Sequence, residues 1–398
     1  MSIAVKDNTV YAVEIEVTEG VYVAPTDAST SYVQTLTDGT EMTPAKELLE
    51  RNVFNGSIGK TTPRTGMRSV TGALPTEFRA AEVEGDAPEY DALMRSALGL
   101  RRQVTATVID GTDASAVHTT TRMYLSNADG SKYSIGDVVT IKSAASYHTS
   151  PVIAVSSAVG DSYIDILVPK PVAPSDSDEI MALTCYVTAN SGHPTLSVSK
   201  YLETTVLEQA AGCRVNNMSL EGFTTGQLAS FNFGFEGMNF DRSLTAQPHT
   251  PLYDNSKPPI MLGACVYQDG VQINVNEFAF SMENTLGFAT STCSPNGKIS
   301  GRATERSITG SFNPYKQDDS VSDFDKFNDN TEFSLFATAN NPTTTAGEYS
   351  QVCSIYMQSC ISTELSESDQ DGLLQEGISF SAGRGDDSSK EEIYICFS

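Results

Sequence analysis

The chain of 398 residues carries 25 Lys and Arg against 50 Asp and Glu, a formal charge of −25, and its length suits two or three domains with cores of their own. With 39% hydrophobic and 19% charged residues it is too apolar and too lightly charged for a disordered chain. A pI near 4.4 excludes general electrostatic adhesion to nucleic acid or to an anionic membrane, so any role near DNA must be one in which adhesion is unwanted.

No run approaches the ~18 apolar residues of a membrane span, and Met1–Asp7 lacks the basic-then-apolar pattern of a secretory signal. The seven cysteines are scattered, odd in number and without Cys-x-x-Cys spacing, which predicts buried free thiols in a reducing compartment.

In chain order, the first element is a half-buried strand in which Tyr11, Val13, Ile15 and Val17 alternate with Ala12, Glu14 and Glu16. Thr18 to Met42, rich in Thr, Ser, Asp and Gly, reads as an arm or a long hairpin loop. Pro88 to Leu98 predicts a helix with Tyr90, Leu93, Met94, Ala97 and Leu98 on one stripe, Asp86 as cap and Gly99 as terminator. Between 103 and 190 short strands separated by Gly, Asp and Ser turns predict a small inserted β-barrel. Within it Val168-Pro169-Lys170-Pro171-Val172-Ala173-Pro174 reads as an exposed, extended stretch. Phe231, Phe233 and Phe235 then mark a second clean strand, prolines over 248–260 mark a linker, and a weaker helix starts near Ser322.

The chain also resembles itself. Arg68-Ser69-Val70-Thr71-Gly72-Ala73-Leu74 matches Arg306-Ser307-Ile308-Thr309-Gly310-Ser311-Phe312. Further on, Cys213 to Gly237 matches Cys360 to Gly383, each with a Gly turn (Gly226-Gln227-Leu228, Gly372-Leu373-Leu374) before its apolar strand. The expected class is therefore mainly β: two related β-sandwich or barrel folds with short flanking helices, plus the inserted barrel. The first fold takes 1–102 and 191–247, the insertion 103–190, the linker 248–260 and the second fold 261–398. Arg68, Thr71, Gly72, Arg306, Thr309 and Gly310 carry the repeat signature.

Chemistry-bearing motifs are weak. Gly56-Ser57-Ile58-Gly59-Lys60-Thr61 has two residues between its glycines where a phosphate loop needs four. His118, His148, His193 and His249 are isolated, without metal-ligand spacing. Asp318, Asp319, Asp323, Asp325 and Asp329 lack the central Gly of a calcium loop, and Phe327 takes a ligand position, so they read as a solvated acidic face. Arg384-Gly385-Asp386 is too short to inform. No catalytic constellation, cofactor or metal is expected.

With these blocks in order, the sequence resembles the tail tube proteins of long-tailed, siphovirus-type bacteriophages. The residues that carry the resemblance are Glu47-Leu48-Leu49-Glu50-Arg51 through Gly59, Arg68 to Gly72, Glu77-Phe78, Gly85 and Pro88 to Gly99. Gly212 to Val215, Gly226 to Ala229 and Phe233 to Gly237 form the later signature. The resemblance implies a non-enzymatic virion protein whose inner strands pair between neighbours into a cylinder of stacked rings. Rings of this kind hold six subunits; two folds per chain favour three with pseudo-sixfold symmetry. It also implies assembly in the host bacterial cytoplasm and contacts with itself and with tail terminator, tape measure and baseplate or tip proteins. Double-stranded DNA passes through without specific binding, and no membrane is involved.

Residues 261–398 hold 20 acidic and 7 basic side chains, so Asp318, Asp319, Asp323, Asp325 and Asp329 are candidates for an acidic lumen. Thr26, Asp27, Tyr32 and Asp38 in the Thr18–Met42 segment are candidates for an inter-ring brace. The insertion is expected on the outer surface, where it does not obstruct DNA. Two other readings remain: a secreted or surface β-sandwich adhesin, opposed by the absent signal and the unpaired cysteines, and a tail-associated polysaccharide-active enzyme, for which no carboxylate pair stands out.

Overall fold

The computed structural model describes residues 8–54, 56, 58–110, 117–126, 129–143, 146–158, 161–203, 205–317, 320–341, 351–384 and 390–398. Asp318, Asp319 and the Gly385-Asp386 pair lie outside them. The chain opens with β1 (Thr9–Ile15), β2 (Tyr32–Val33), β3 (Glu41–Arg51), β4 (Thr61–Glu77), α1 (Asp91–Leu98) and β5 (Gly99–Val104). A second group follows: β6 (Thr107–Val108), β7 (Arg122–Tyr124), β8 (Val138–Ser143), β9 (Ser146–Ala158), β10 (Asp161–Ile166) and β11 (Glu179–Ile180). The chain returns through β12 (Leu183–Thr188), β13 (Leu196–Leu202), β14 (Val206–Glu221), β15 (Ser230–Gly237) and β16 (Asn239–Leu244). The rest is β17 (Cys265–Gln268), β18 (Val271–Ile273), β19 (Val275–Thr290), β20 (Lys298–Pro314), α2 (Ser320–Asp329), β21 (Phe333–Asn341), β22 (Gln351–Gln370), β23 (Leu373–Gly383) and β24 (Tyr394–Phe397). The fold is mainly β, with two short α-helices among the described residues.

Eight of these strands form one antiparallel run in the order β3-β4-β15-β14-β19-β20-β23-β22. It consists of two four-stranded units of the same construction. In the first, Gly72 of β4 lies opposite Phe235 of β15 and Met42 of β3. In the second, Gly310 of β20 lies opposite Phe380 of β23 and Phe280 of β19. Each glycine lets a phenylalanine ring lie across the strand: a Cβ on Gly310 would stand 2.5 Å from both Ala279 O and Phe380 Cζ, and one on Gly72 would meet Glu41 O and Phe235. Each unit also has a register shift at the matching place, between Val215 and Asn217 in β14 and between Ser362 and Glu364 in β22. The self-resemblance of the sequence is thus a repeated backbone plan.

One core serves both units. Phe231, Phe233, Phe235, Phe278, Phe280, Phe312 and Phe380 are all buried, and Phe231 of the first unit meets Phe280 of the second with ring centroids 6.5 Å apart. Helix α1 buries Leu93, Met94, Ala97 and Leu98 against this core and places Tyr90 against Phe231 and Phe233. The expected cap Asp86 plays no such part: Asp91 begins the helix after Tyr90, which makes no side-chain cap bond, and the Asp86 N–H binds Val83 O. Gly99 ends the helix at φ 99°, its N–H on Arg95 O.

The strands between 107 and 180 form a separate sheet, β6-β11-β8-β9-β10-β7, whose ends are joined by the Ile109–Leu125 bridge. β12, inside the span 103–190, instead pairs with β5 and β24 of the main body. The small sheet sits firmly on that body. Asp137 binds Arg102 at 2.8 Å, Thr140 Oγ1 lies 2.6 Å from Ser398 Oγ, and Tyr394 and Tyr356 join its core. Two cysteines depart from the expected free thiols. Register places Cys185 of β12 opposite Cys396 of β24, 211 residues apart in sequence, and the two are joined as a disulfide. Cys213, Cys353 and Cys360 are buried thiols, whose pKa values burial raises.

Candidate assembly interface

The eight-stranded run ends in two open edges. At one end β3 pairs only with β4; at the other, β22 beyond Cys360 pairs only with β23 among the described residues. Exposed, unpaired ladder groups are sticky unless blunted or covered. Among the described residues nothing covers either edge: β3 is exposed at every position but Met42, and Leu48, Leu49, Val53, Phe54 and Ile58 project near the tip of the β3–β4 hairpin.

The two faces of the run differ sharply, because side chains alternate across a strand. One face holds the phenylalanine core. The other presents Thr43, Thr71, Ser219, Asn232, Ser281, Thr309, Ser311 and Ser379, with Glu41, Glu77, Glu221, Glu236, Glu283 and Glu364 among them. Lys298 reaches one of these carboxylates, Glu236, at 3.1 Å. This acidic, hydroxyl-lined face was missed in the sequence, although the signal was present: Glu236 and Asn232 are out of phase with Phe231, Phe233 and Phe235.

The described candidate lumen acids are not on this face. Asp323, Asp325 and Asp329 are on α2, which packs on β22. Asp323 acts on Glu376, whose pKa is raised by burial first and then, against Lys316, by the charges of Asp323 and Glu367. Glu376 shares the strand face of Ile378 and Phe380, so α2 lies on the core side of the sheet and not over the hydroxyl face. The helix has Phe327 to cover, and the core side offers Leu365 and Ile378 where the hydroxyl face has Ala73, Pro75 and Ala279 among its few apolar residues.

The candidate brace is not a free arm. Tyr32 is 1% exposed, its strand β2 pairs with β1, and its hydroxyl donates to His249 O at 3.1 Å. Glu14 takes the backbone N–H and hydroxyl of Thr26, each at 2.9 Å, and the Ser31 hydroxyl, which folds the loop back. Asp27 and Asp38 remain exposed; bonds from Ser29 and Thr30 lower the Asp27 pKa. Nor does the first strand reach Val17, which is fully exposed. Glu16 turns inward to accept from Gly20 N, Ser197 Oγ and Gly212 N. The linker is likewise fastened, by Arg79 to Asp254 O and Ser256 O at 3.0 and 2.9 Å.

The two signature arginines differ in setting. Arg306 lies where the two units join: it donates to Asn284 Oδ1 at 3.1 Å, Glu392 Oε2 at 3.0 Å and Ala189 O at 2.9 Å. Its counterpart Arg68 is exposed on the open β3–β4 edge. Thr71 and Thr309 point to the hydroxyl face beside Gly72 and Gly310. Among the described residues no group of acidic, His or Cys side chains could hold a metal, and no helix is long and apolar enough to cross a membrane.

The site is thus a duplicated sheet with two open edges. The family model of the phage tail tube protein matches residues 6–382, and the chain belongs to that family. It is a structural component of the virion tail. No curated protein matches the chain.

Proposed function

We propose that three copies of this chain close into a ring with pseudo-sixfold symmetry, and that stacked rings form the tube through which the genome leaves a siphovirus-type virion. The observation that carries this reading is the eight-stranded run with two open edges. Three such runs give 24 strands. At ~4.8 Å between strands and a tilt of ~40°, a barrel of 24 strands measures roughly 48 Å across its backbone. Six copies would give roughly twice that bore, far wider than a duplex needs.

The acidic hydroxyl face lines the bore in this reading. DNA carries one charge per ~1.7 Å of its axis, and a basic wall would hold it through counterion release. Carboxylates keep it off the wall over a Debye length of ~8 Å, and short hydroxyls leave a smooth hydrated surface. The α2 acids belong on the core side, and the 107–180 sheet on the outside. The exposed turns at Thr26, Asp27 and Asp38 are the remaining contacts of that loop for an adjacent ring, without Tyr32. Assembly takes place in the host cytoplasm, with the terminator, tape measure and tip proteins as partners at the tube ends. Native mass spectrometry of assembled protein tests the stoichiometry: a species of three 42.6-kDa chains supports the reading, and one of six overturns the threefold count.

A further inference from the structure

The chain contains, between its own halves, one complete copy of a junction whose two outer sides are left open. Inside the chain β14 meets β19 in the register Asn217↔Glu283, Met218↔Met282, Ser219↔Ser281, Leu220↔Phe280. The two units can be laid over each other residue by residue. Met42 lies opposite Gly72 as Phe280 lies opposite Gly310, so residues 42–45 of β3 stand for 280–283 of β19. Val215 lies opposite Phe235 as Ser362 lies opposite Phe380, and the shared register shift follows at once. Residues 364–367 of β22 therefore stand for 217–220 of β14.

Resting on the ring reading, we infer that β22 of one chain pairs antiparallel with β3 of a second copy in the register Glu364↔Ala45, Leu365↔Pro44, Ser366↔Thr43, Glu367↔Met42. The partner is a second copy of this chain and no other strand, on three grounds.

The first is continuity, since the same contact already exists once per chain at β14–β19. The second is charge. Segment 41–77 carries five Lys and Arg (Lys46, Arg51, Lys60, Arg64, Arg68) against four acids, within a chain of net charge −25. Segment 351–383 carries Glu364, Glu367, Asp369, Asp371 and Glu376 and no Lys or Arg. Opposite edges of a head-to-tail ring thus attract, and like edges do not.

The third ground is the set of side chains that cross the internal junction. Asn284, opposite Arg306 in the ladder, donates to Ala97 O in the last turn of α1 at 3.0 Å. Lys46, opposite Arg68, takes the place of Asn284, and α2 takes the place of α1 against its strand. A cation is thereby brought towards the C-terminal end of α2, where the helix dipole and Asp329 are negative and Lys326 is engaged by Asp269 at 2.8 Å. Pro44 lacks an N–H, so this edge offers one donor fewer than β19, a restraint that discourages pairing with unrelated strands.

Cross-linking tests the register on the full-length chain carrying Cys265→Ser and Cys293→Ser, which remove the two partly or fully exposed thiols. In this background Thr43→Cys with Ser366→Cys, both at exposed positions, is assembled, oxidised and run on a non-reducing gel. The expected result is a shift from one chain to a ladder ending at three chains, while Thr43→Cys with Gln370→Cys stays at one. If rings form by native mass spectrometry but only the displaced pair cross-links, or neither does, the register is overturned and the ring reading stands. If the background protein forms no rings at all, the ring reading falls and takes this inference with it.

Discussion

Alanine at Gly310, and separately at Gly72, strikes the repeat at its tightest point. A Cβ at Gly310 would lie 2.5 Å from Ala279 O and from Phe380 Cζ; one at Gly72 would lie 2.6 Å from Phe235 Cε1 and nearer still to Glu41 O. Favourable contacts sit at ~3.5–4.0 Å, so each must open by about 1 Å. The rings can tilt, but the carbonyls are held in the β19–β20 and β3–β4 ladders. Overpacking of this kind costs about 1–3 kcal/mol, offset by about 0.4–1 kcal/mol from the stiffer unfolded chain. The net expectation is about 1–2 kcal/mol of destabilisation for each variant, read as a lowered urea midpoint with unchanged slope. Adding Phe380→Leu to Gly310→Ala removes one of the two clashes, so the double variant should be more stable than the sum of the singles. Both glycine variants unfolding at the wild-type midpoint, or the two differing in sign, would refute the shared plan.

Four further expectations concern other parts of the structure. Arg68→Glu should leave the melting temperature of the single chain within about 2 °C of wild type while abolishing rings in negative-stain images, because Arg68 is exposed. Arg306→Ala should instead unfold the chain at lower urea, by about 1–3 kcal/mol, since it strips a part-buried pair and two carbonyls of their donor. At the seat of the small sheet, burial lifts the Asp137 pKa to about 6 despite Arg102. The folded value exceeds the unfolded one, so this group favours folding below about pH 4 and withdraws up to about 3 kcal/mol as pH rises through 6. The Asp137 carboxyl carbon shift, followed by NMR, should titrate near 6, and a midpoint below 4 would contradict the burial. Finally, Ser219→Lys with Thr309→Lys should still give tubes but slow DNA release from assembled virions, most strongly at low salt. Unchanged release would place the hydroxyl face outside the bore.

Strand positions were legible because alternation is local: Phe231, Phe233 and Phe235 announce a strand and its buried face without reference to any partner. The repeat was legible because Gly72 and Gly310 are each fixed by a ring from a neighbouring strand, which preserves the surrounding pattern. What alternation cannot state is which strand lies alongside. The β12–β24 pairing that joins Cys185 to Cys396, and the β14–β19 junction, depend on contacts far apart in sequence. The segment over 18–42 was legible as an arm or a long hairpin loop, but its fastening was not: Thr, Ser and Asp content names no partner, and two carboxylates supplied by the first strand and its end, Glu14 and Glu16, tie it down. Carboxylates that crowd in sequence, as at 318–329, were legible at once; the single glutamates that the sheet gathers from six places in the chain onto one face were not, because no local crowding announces them.

A helical reconstruction of assembled tubes by cryo-electron microscopy decides between three and six chains per ring. The expected map has three chains per ring, an inner barrel of 24 strands continuous across every subunit boundary, and Glu41, Glu221, Glu283 and Glu364 facing the bore. Six chains per ring, or a bore lined by the outer face of α2, would contradict it.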